Sequence, residues 1–109
     1  MSELTSKRCL PCEGGVDPLD ADAASQMLSQ VPGWSLSGDG KQIERTIRFD
    51  NYYQTMAFVN AIAFMAHQED HHPDMTVGYN QLHVIYTTHA IGGLSENDFI
   101  CAAKVNALT

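Results

Sequence analysis

The sequence predicts an α+β domain: one four-stranded antiparallel sheet with three helices packed on a single face, in the order αββαββα. Three observations predict it. Two pairs of strand-like segments are each joined by a short polar turn and not by a helical crossover, which makes them antiparallel hairpins. Segments of helical periodicity or helix-capping chemistry stand before, between and after the pairs. The 109 residues, 44% of them hydrophobic and 17% charged, suit one compact core better than a disordered or coiled-coil chain.

Residues 1–18, rich in Gly, Pro and charge, read as a flexible arm, and 19–109 as the single domain. Asp20 can cap a first helix over roughly 21–31, in which Ala24, Met27, Leu28 and Val31 fall at i, i+3, i+4 and i+7 before Pro32-Gly33 ends it. Trp34-Ser35-Leu36, a Ser37–Gly40 turn and an alternating run follow. In that run Ile43, Arg45, Ile47 and Phe49 oppose Gln42, Glu44, Thr46 and Arg48, which gives a hairpin. Asp50 is the expected cap of a long second helix, apolar on nearly every side from Tyr52 through Met65 and limited by Pro73. Such a helix is usually buried on both sides, so one face is expected on the sheet and the other against a second subunit, in a homodimer or homotetramer. Strands at about 75–79 and 82–88 form the second hairpin, with Leu82, Val84 and Tyr86 on one face and His83, Ile85 and Thr87 on the other. Ser95 and Asp98 resemble a capping box that opens a third helix through about Leu108.

Charge removes several classes of function. Six basic residues against thirteen acidic ones leave a net charge of −7, which opposes binding to nucleic acid or anionic lipid. No apolar run approaches the ~20 residues that span a bilayer, and the N-terminus lacks the apolar block of a secretory signal, so a cytoplasmic address is expected by default. Three cysteines, an odd number, agree with a reducing compartment.

All five histidines, His67, His71, His72, His83 and His89, lie within one fifth of the chain, at the end of the second helix and along the second hairpin. They can converge if that helix packs over that sheet. Two chemistries could use them. His67 and His71 at i, i+4 on one helical face offer a metal pair, but Gln68 stands where a zincin carries its general base, while Glu69 and Asp70 point away from the stripe. The alternative is general acid and base catalysis by imidazole, whose ordinary pKa of about 6.5 lets it give and take protons near neutrality. No metal and no cofactor is expected. Neither Ser95, read as a cap, nor Cys101, read as helix core, stands out as a nucleophile. His83, alternating onto a sheet face, is read as structural.

The run His67-Gln-Glu-Asp-His71-His72-Pro73-Asp74, then Gly78-Tyr79-Asn80, Thr87-Thr88-His89 and Gly93-Leu94-Ser95-Glu96-Asn97-Asp98, resembles the pterin-4a-carbinolamine dehydratases, also called 4a-hydroxytetrahydrobiopterin dehydratases. The likeness runs from about Pro32 to the end of the third helix, and the Cys9-Leu-Pro-Cys12-Glu-Gly-Gly arm looks like that of the bacterial branch. It implies a lyase that dehydrates 4a-hydroxytetrahydropterin to quinonoid dihydropterin, with an aromatic amino acid hydroxylase as functional partner. It also implies that His71, His72 and His89 are the pocket histidines, His71 and His89 moving protons and His72 chiefly binding. Thr88 is expected to support the site, and Asp98 either to orient a histidine or simply to cap its helix. Tyr79 occupies an aromatic position of the family and is expected to pack on a strand. His67 stands where many members carry Glu, so Glu69 or Asp70, or else Asp98, is expected to supply the negative charge.

Cys9 and Cys12 have the spacing of half a zinc site, with no essential role expected. Two other functions compete: a dimerisation module acting through the helical face of residues 52–66, as some animal members of the family do, and a zinc-dependent hydrolase built on the histidines.

Overall fold

The computed structural model of the chain describes residues 3–10 and 17–109. Helix α1 spans Ala21–Leu28, strand β1 Ser35–Leu36, β2 Ile43–Arg48, helix α2 Tyr52–Glu69, β3 Asp74–Val77, β4 Gln81–Tyr86 and helix α3 Glu96–Leu108. Two 3-10 turns, Glu3–Ser6 and His89–Ile91, complete it. The four antiparallel strands lie in the order β1-β2-β4-β3, so the two expected hairpins join through β2 and β4, with Ile43 opposite Tyr86 and Arg48 opposite Gln81.

Alternation decides which face is covered. Ile43 and Ile47 on β2 and Leu82, Val84 and Tyr86 on β4 are buried and share one cluster with Ile62, Met65, Leu94, Phe99, Ile100 and Val105 from the helical layer. The opposite face carries Glu44, Thr46, Arg48, Thr76 and His83, all exposed or half-exposed. His83 lies there between the Thr46 hydroxyl, 2.8 Å from Nδ1, and the Glu44 carboxylate, 3.7 Å from Nε2.

Several boundaries differ from the sequence reading. The regular part of α1 stops at Leu28, and Val31 reaches the core from the turn that follows. The cap of α2 is Asn51, not Asp50: the Asn51 side chain accepts from the Gln54 amide at 2.9 Å, while the Asp50 amide donates to the Gln54 side chain. Strand β4 ends at Tyr86, which frees Thr87 to His89 to turn away from the sheet. Tyr79 does not pack on a strand. Its ring is exposed in the β3–β4 turn, and only its carbonyl is tied down, accepting from the buried Thr55 hydroxyl.

The helix buried all round is α3, in which every residue from Asn97 to Ala103 is buried. Helix α2 buries Thr55, Ile62, Met65, Ala66 and Glu69, and leaves Tyr52, Tyr53 and Phe64 exposed, Tyr53 at 83% and Phe64 at 66%. No helix among the described residues is long and apolar enough to cross a membrane.

Candidate active site

The end of α2 sets the geometry. Asp70 takes the left-handed conformation, φ 52° and ψ 42°, and its amide and that of His71 close back on the His67 and Ala66 carbonyls at 3.3 and 3.1 Å. This is a Schellman-type stop, followed by Pro73, which cannot continue a helix. Aspartate tolerates the left-handed region better than most side chains, yet such a residue is a place to look for function. The consequence qualifies the helical-stripe reading: His71 lies beyond the end of the helix, so its placement relative to His67 is set by the turn at Asp70 and not by helical spacing. His67 stays exposed on α2, whereas His71 swings beneath it towards α3.

There its Nε2 lies 2.6 Å from Oδ1 of Asp98, which is 0% exposed. The second oxygen, Oδ2, accepts from the Thr88 hydroxyl at 2.8 Å and from the Ser95 amide at 3.0 Å, the carboxylate half of the capping box. Asp98 thus both caps α3 and meets a histidine. The Thr88 and Ser95 hydroxyls are 2.8 Å apart and knit the loop before α3 to the helix start. Burial opposes the charged form of His71, but the hydrogen bond and charge of Asp98 overcome it, so the imidazole is held above its ordinary pKa.

Tyr86 fixes the plane of that imidazole. The two rings stack with centroids 5.6 Å apart and 13° between planes. The Tyr86 hydroxyl is the one buried side-chain polar atom without a hydrogen-bond partner among the described residues, and burial, with the Cys101 thiol nearby, pushes its pKa up. An unpaired buried hydroxyl costs about 1–3 kcal/mol. Tyr86→Phe is therefore expected to keep the stack and to unfold at the same or a higher urea concentration than the parent, while Tyr86→Leu loses the stack and lowers both midpoint and turnover.

The chain then turns at Thr88–Gly93, paired as an isolated antiparallel bridge with amide–carbonyl distances of 2.9 and 3.4 Å. Gly92 needs its positive φ of 68° to end the 3-10 turn, and a Cβ on Gly93 would come within 2.7 Å of Pro18. The exposed His89 on this tight loop lines the same cavity as His71 and His72.

A cavity of about 370 Å³ lies among these elements. His71 and His72 enter it from the α2–β3 connection, Thr87, Thr88 and His89 from the loop after β4, and Glu69 and Asp70 from the end of α2. Cys9 and Leu10 close the side nearest the N-terminus, with Asn97 of α3. A second cavity of about 340 Å³ shares Asp70, His71 and His72 and reaches His67, Ala63 and Met75. Of the residues singled out from sequence, His71, His72, His89, Thr88, Glu69 and Asp70 line the first cavity. Asp98 lies beneath it, His67 borders the second, and His83 is on the far face of the sheet.

Glu69 has other partners than an imidazole. Its side chain, 3% exposed, takes the Lys104 ammonium at 3.1 Å, Nε of Arg8 at 3.0 Å and the Cys9 amide at 2.8 Å. Burial opposes its charge, but these donors prevail and hold its carboxyl below the usual carboxylate range. Among the described residues no three His, Cys, Asp or Glu side chains converge as a metal site would require. Cys9 sits with its sulfur 3.5 Å from that of Cys101, and Cys12 lies outside the described residues.

Sequence reasoning missed Tyr86, Cys9, Leu10 and Asn97 as site residues. Strand alternation could have found Tyr86, since it is inward-facing two residues before Thr88. Nothing periodic marks the arm.

Fold and site together define a sheet-and-helix domain with a histidine-lined cavity. The profile of the family described as Pterin 4 alpha carbinolamine dehydratase matches residues 17–108, and the chain belongs to that family. It is 64% identical over 107 residues to a protein of Nitrosomonas eutropha provisionally named pterin-4-alpha-carbinolamine dehydratase, across 97% of this chain and 93% of the other. The crystal structure of a transcriptional coactivator/pterin dehydratase from Brucella melitensis superposes with a TM-score of 0.80 at 28% identity, covering 84% of this chain and 98% of that one. A pterin dehydratase-like protein identified as a RuBisCO assembly factor in the alpha-carboxysome superposes with a TM-score of 0.61 at 25% identity, covering 70% and 88%.

Proposed function

We propose that the protein dehydrates 4a-hydroxytetrahydropterin to the quinonoid dihydropterin by proton transfer between imidazoles, in support of an aromatic amino acid hydroxylase that forms the substrate. The observation that carries this reading is the His71–Asp98 pair beneath a cavity that His72 and His89 also line. Hydroxide is a poor leaving group, so the C4a oxygen must gain a proton as its bond to carbon breaks. The N5 proton must leave to a base, so that the N–H electron pair becomes the C4a=N5 double bond and water departs. His71, whose protonated form Asp98 favours, suits the first task, and the exposed His89, lining the same cavity, suits the second. His72 binds the ring. Thr88 and Ser95 hold the carboxylate so that it does not turn away from the imidazole.

The test is a coupled assay in which a hydroxylase generates the 4a-hydroxypterin and quinonoid product is followed spectrally. Acceleration over the spontaneous dehydration is expected, and none would refute the reading. Because the fold also serves an assembly factor, a protein acting by contact alone remains the alternative outcome, recognised by full function in a His71→Ala, His89→Ala double variant.

The exposed apolar face of α2 fits self-association in a reducing cytoplasm. Phe64→Glu is expected to lower the mass seen by sedimentation.

A further inference from the structure

We infer that the N-terminal segment Cys9–Leu10 is a working wall of the catalytic cavity, and that Leu10 is a substrate-contacting residue which covers part of the flat ring while the histidines act on it. The inference rests on the pterin reading above.

The arm is fastened along its described length. Leu4 is buried against α3, Lys7 pairs with Glu96 at 3.2 Å, and Nη2 of Arg8 donates to the Gln68 carbonyl at 3.1 Å. The two residues at the cavity are held from both sides. The buried Glu69 accepts the Cys9 amide, and the Asn97 side chain brackets Leu10, accepting from its amide at 3.1 Å and donating to its carbonyl at 2.5 Å. Ordering a chain end costs conformational entropy, and the anchors offset it.

What they present is the point. Leu4 is buried, whereas Leu10 is pinned by its backbone and left 73% exposed at the rim of the cavity. An apolar side chain fixed beside a cavity lined mainly by histidine, threonine and carboxylate residues offers a contact that strengthens as a planar heterocycle displaces water. Glu69 is on this reading a positioning residue: with Lys104 it forms the post to which the arm is tied, and it acts on the substrate through Leu10.

The experiment measures steady-state kinetics of the full chain in the coupled assay, together with binding of an unreactive dihydropterin by fluorescence. The Leu10 side chain is largely exposed and its anchors are backbone groups, so Leu10→Ser should fold. It is expected to raise KM and the dihydropterin dissociation constant about tenfold, a ~1.4 kcal/mol loss, with kcat held within about twofold and Leu10→Met restoring parental values. Glu69→Gln is expected to raise KM in the same direction without moving either limb of the pH–rate profile. Parental activity with unchanged KM and binding in Leu10→Ser would overturn the inference and leave the dehydratase reading standing. A parent chain that neither binds dihydropterin nor accelerates dehydration would overturn both. A shifted pH limb in Glu69→Gln would overturn the positioning role, because it would show that carboxylate acting through an imidazole.

Discussion

Replacing His71 by alanine is expected to lower kcat about 10²- to 10⁴-fold in the coupled assay, with a much smaller change in KM. Among the cavity's imidazoles, His71 is the one whose protonated form has a fixed partner, since Asp98 is fully buried and has its other oxygen committed to Thr88 and Ser95. The ring is held at its edge by the carboxylate and on its face by Tyr86, a fixed placement that a water admitted to the vacated space would not reproduce. His89→Ala is expected to cost less. Its side chain stands exposed on a loop, where solvent can accept a proton in its stead. The His71 substitution carries a structural cost too: it leaves a buried carboxylate with hydrogen bonds but no counter-charge, which destabilises by up to about 3–5 kcal/mol in comparable buried pairs. Urea unfolding of the variant therefore accompanies the kinetics. A folded His71→Ala protein with parental kcat would remove His71 from the mechanism.

How much of this was legible in the residues depends on the range of the interaction. Local chemistry read well: the Ser95/Asp98 capping box opens α3, and the β4 alternation assigns Leu82, Val84 and Tyr86 to the core. The β2–β4 pairing, which makes two hairpins into one sheet, has no local signal, since it depends on which edges meet after collapse. Histidine clustering pointed to the site, but helical periodicity does not extend through Asp70, so it could not place His71. A single left-handed residue rotates everything after it, and aspartate marks such a position far less clearly than glycine does. The role of Asp98 was ambiguous between cap and partner because the two are not alternatives: a carboxylate has two oxygens, and each takes one task. The arm was illegible, as its anchors are isolated polar contacts some 60 to 90 residues away in sequence.

That double use of Asp98 makes its removal the sharper test of mechanism. In Asp98→Asn the amide keeps the size of the side chain and can still accept from Thr88 or the Ser95 amide, but the charge facing His71 is gone. Burial is then opposed only by the lesser influences of Cys9 and Asp70, and the His71 pKa falls. If His71 is the acid, activity requires its protonated form and is lost as pH rises through its pKa, so the alkaline limb of kcat moves to lower pH. If it is the base, the acid limb moves to lower pH, and the same experiment assigns the role. Stability follows the same sign. The raised pKa contributes stability that is fully present below the unfolded value of about 6.5 and is lost as pH rises through the folded value. The parent should accordingly exceed Asp98→Asn most clearly near pH 6, with the gap narrowing on the alkaline side. Urea unfolding at several pH values measures that gap beside the pH–rate profile. Two unmoved limbs, with a gap independent of pH, would mean that Asp98 only caps its helix and that the proton of His71 is held by something else.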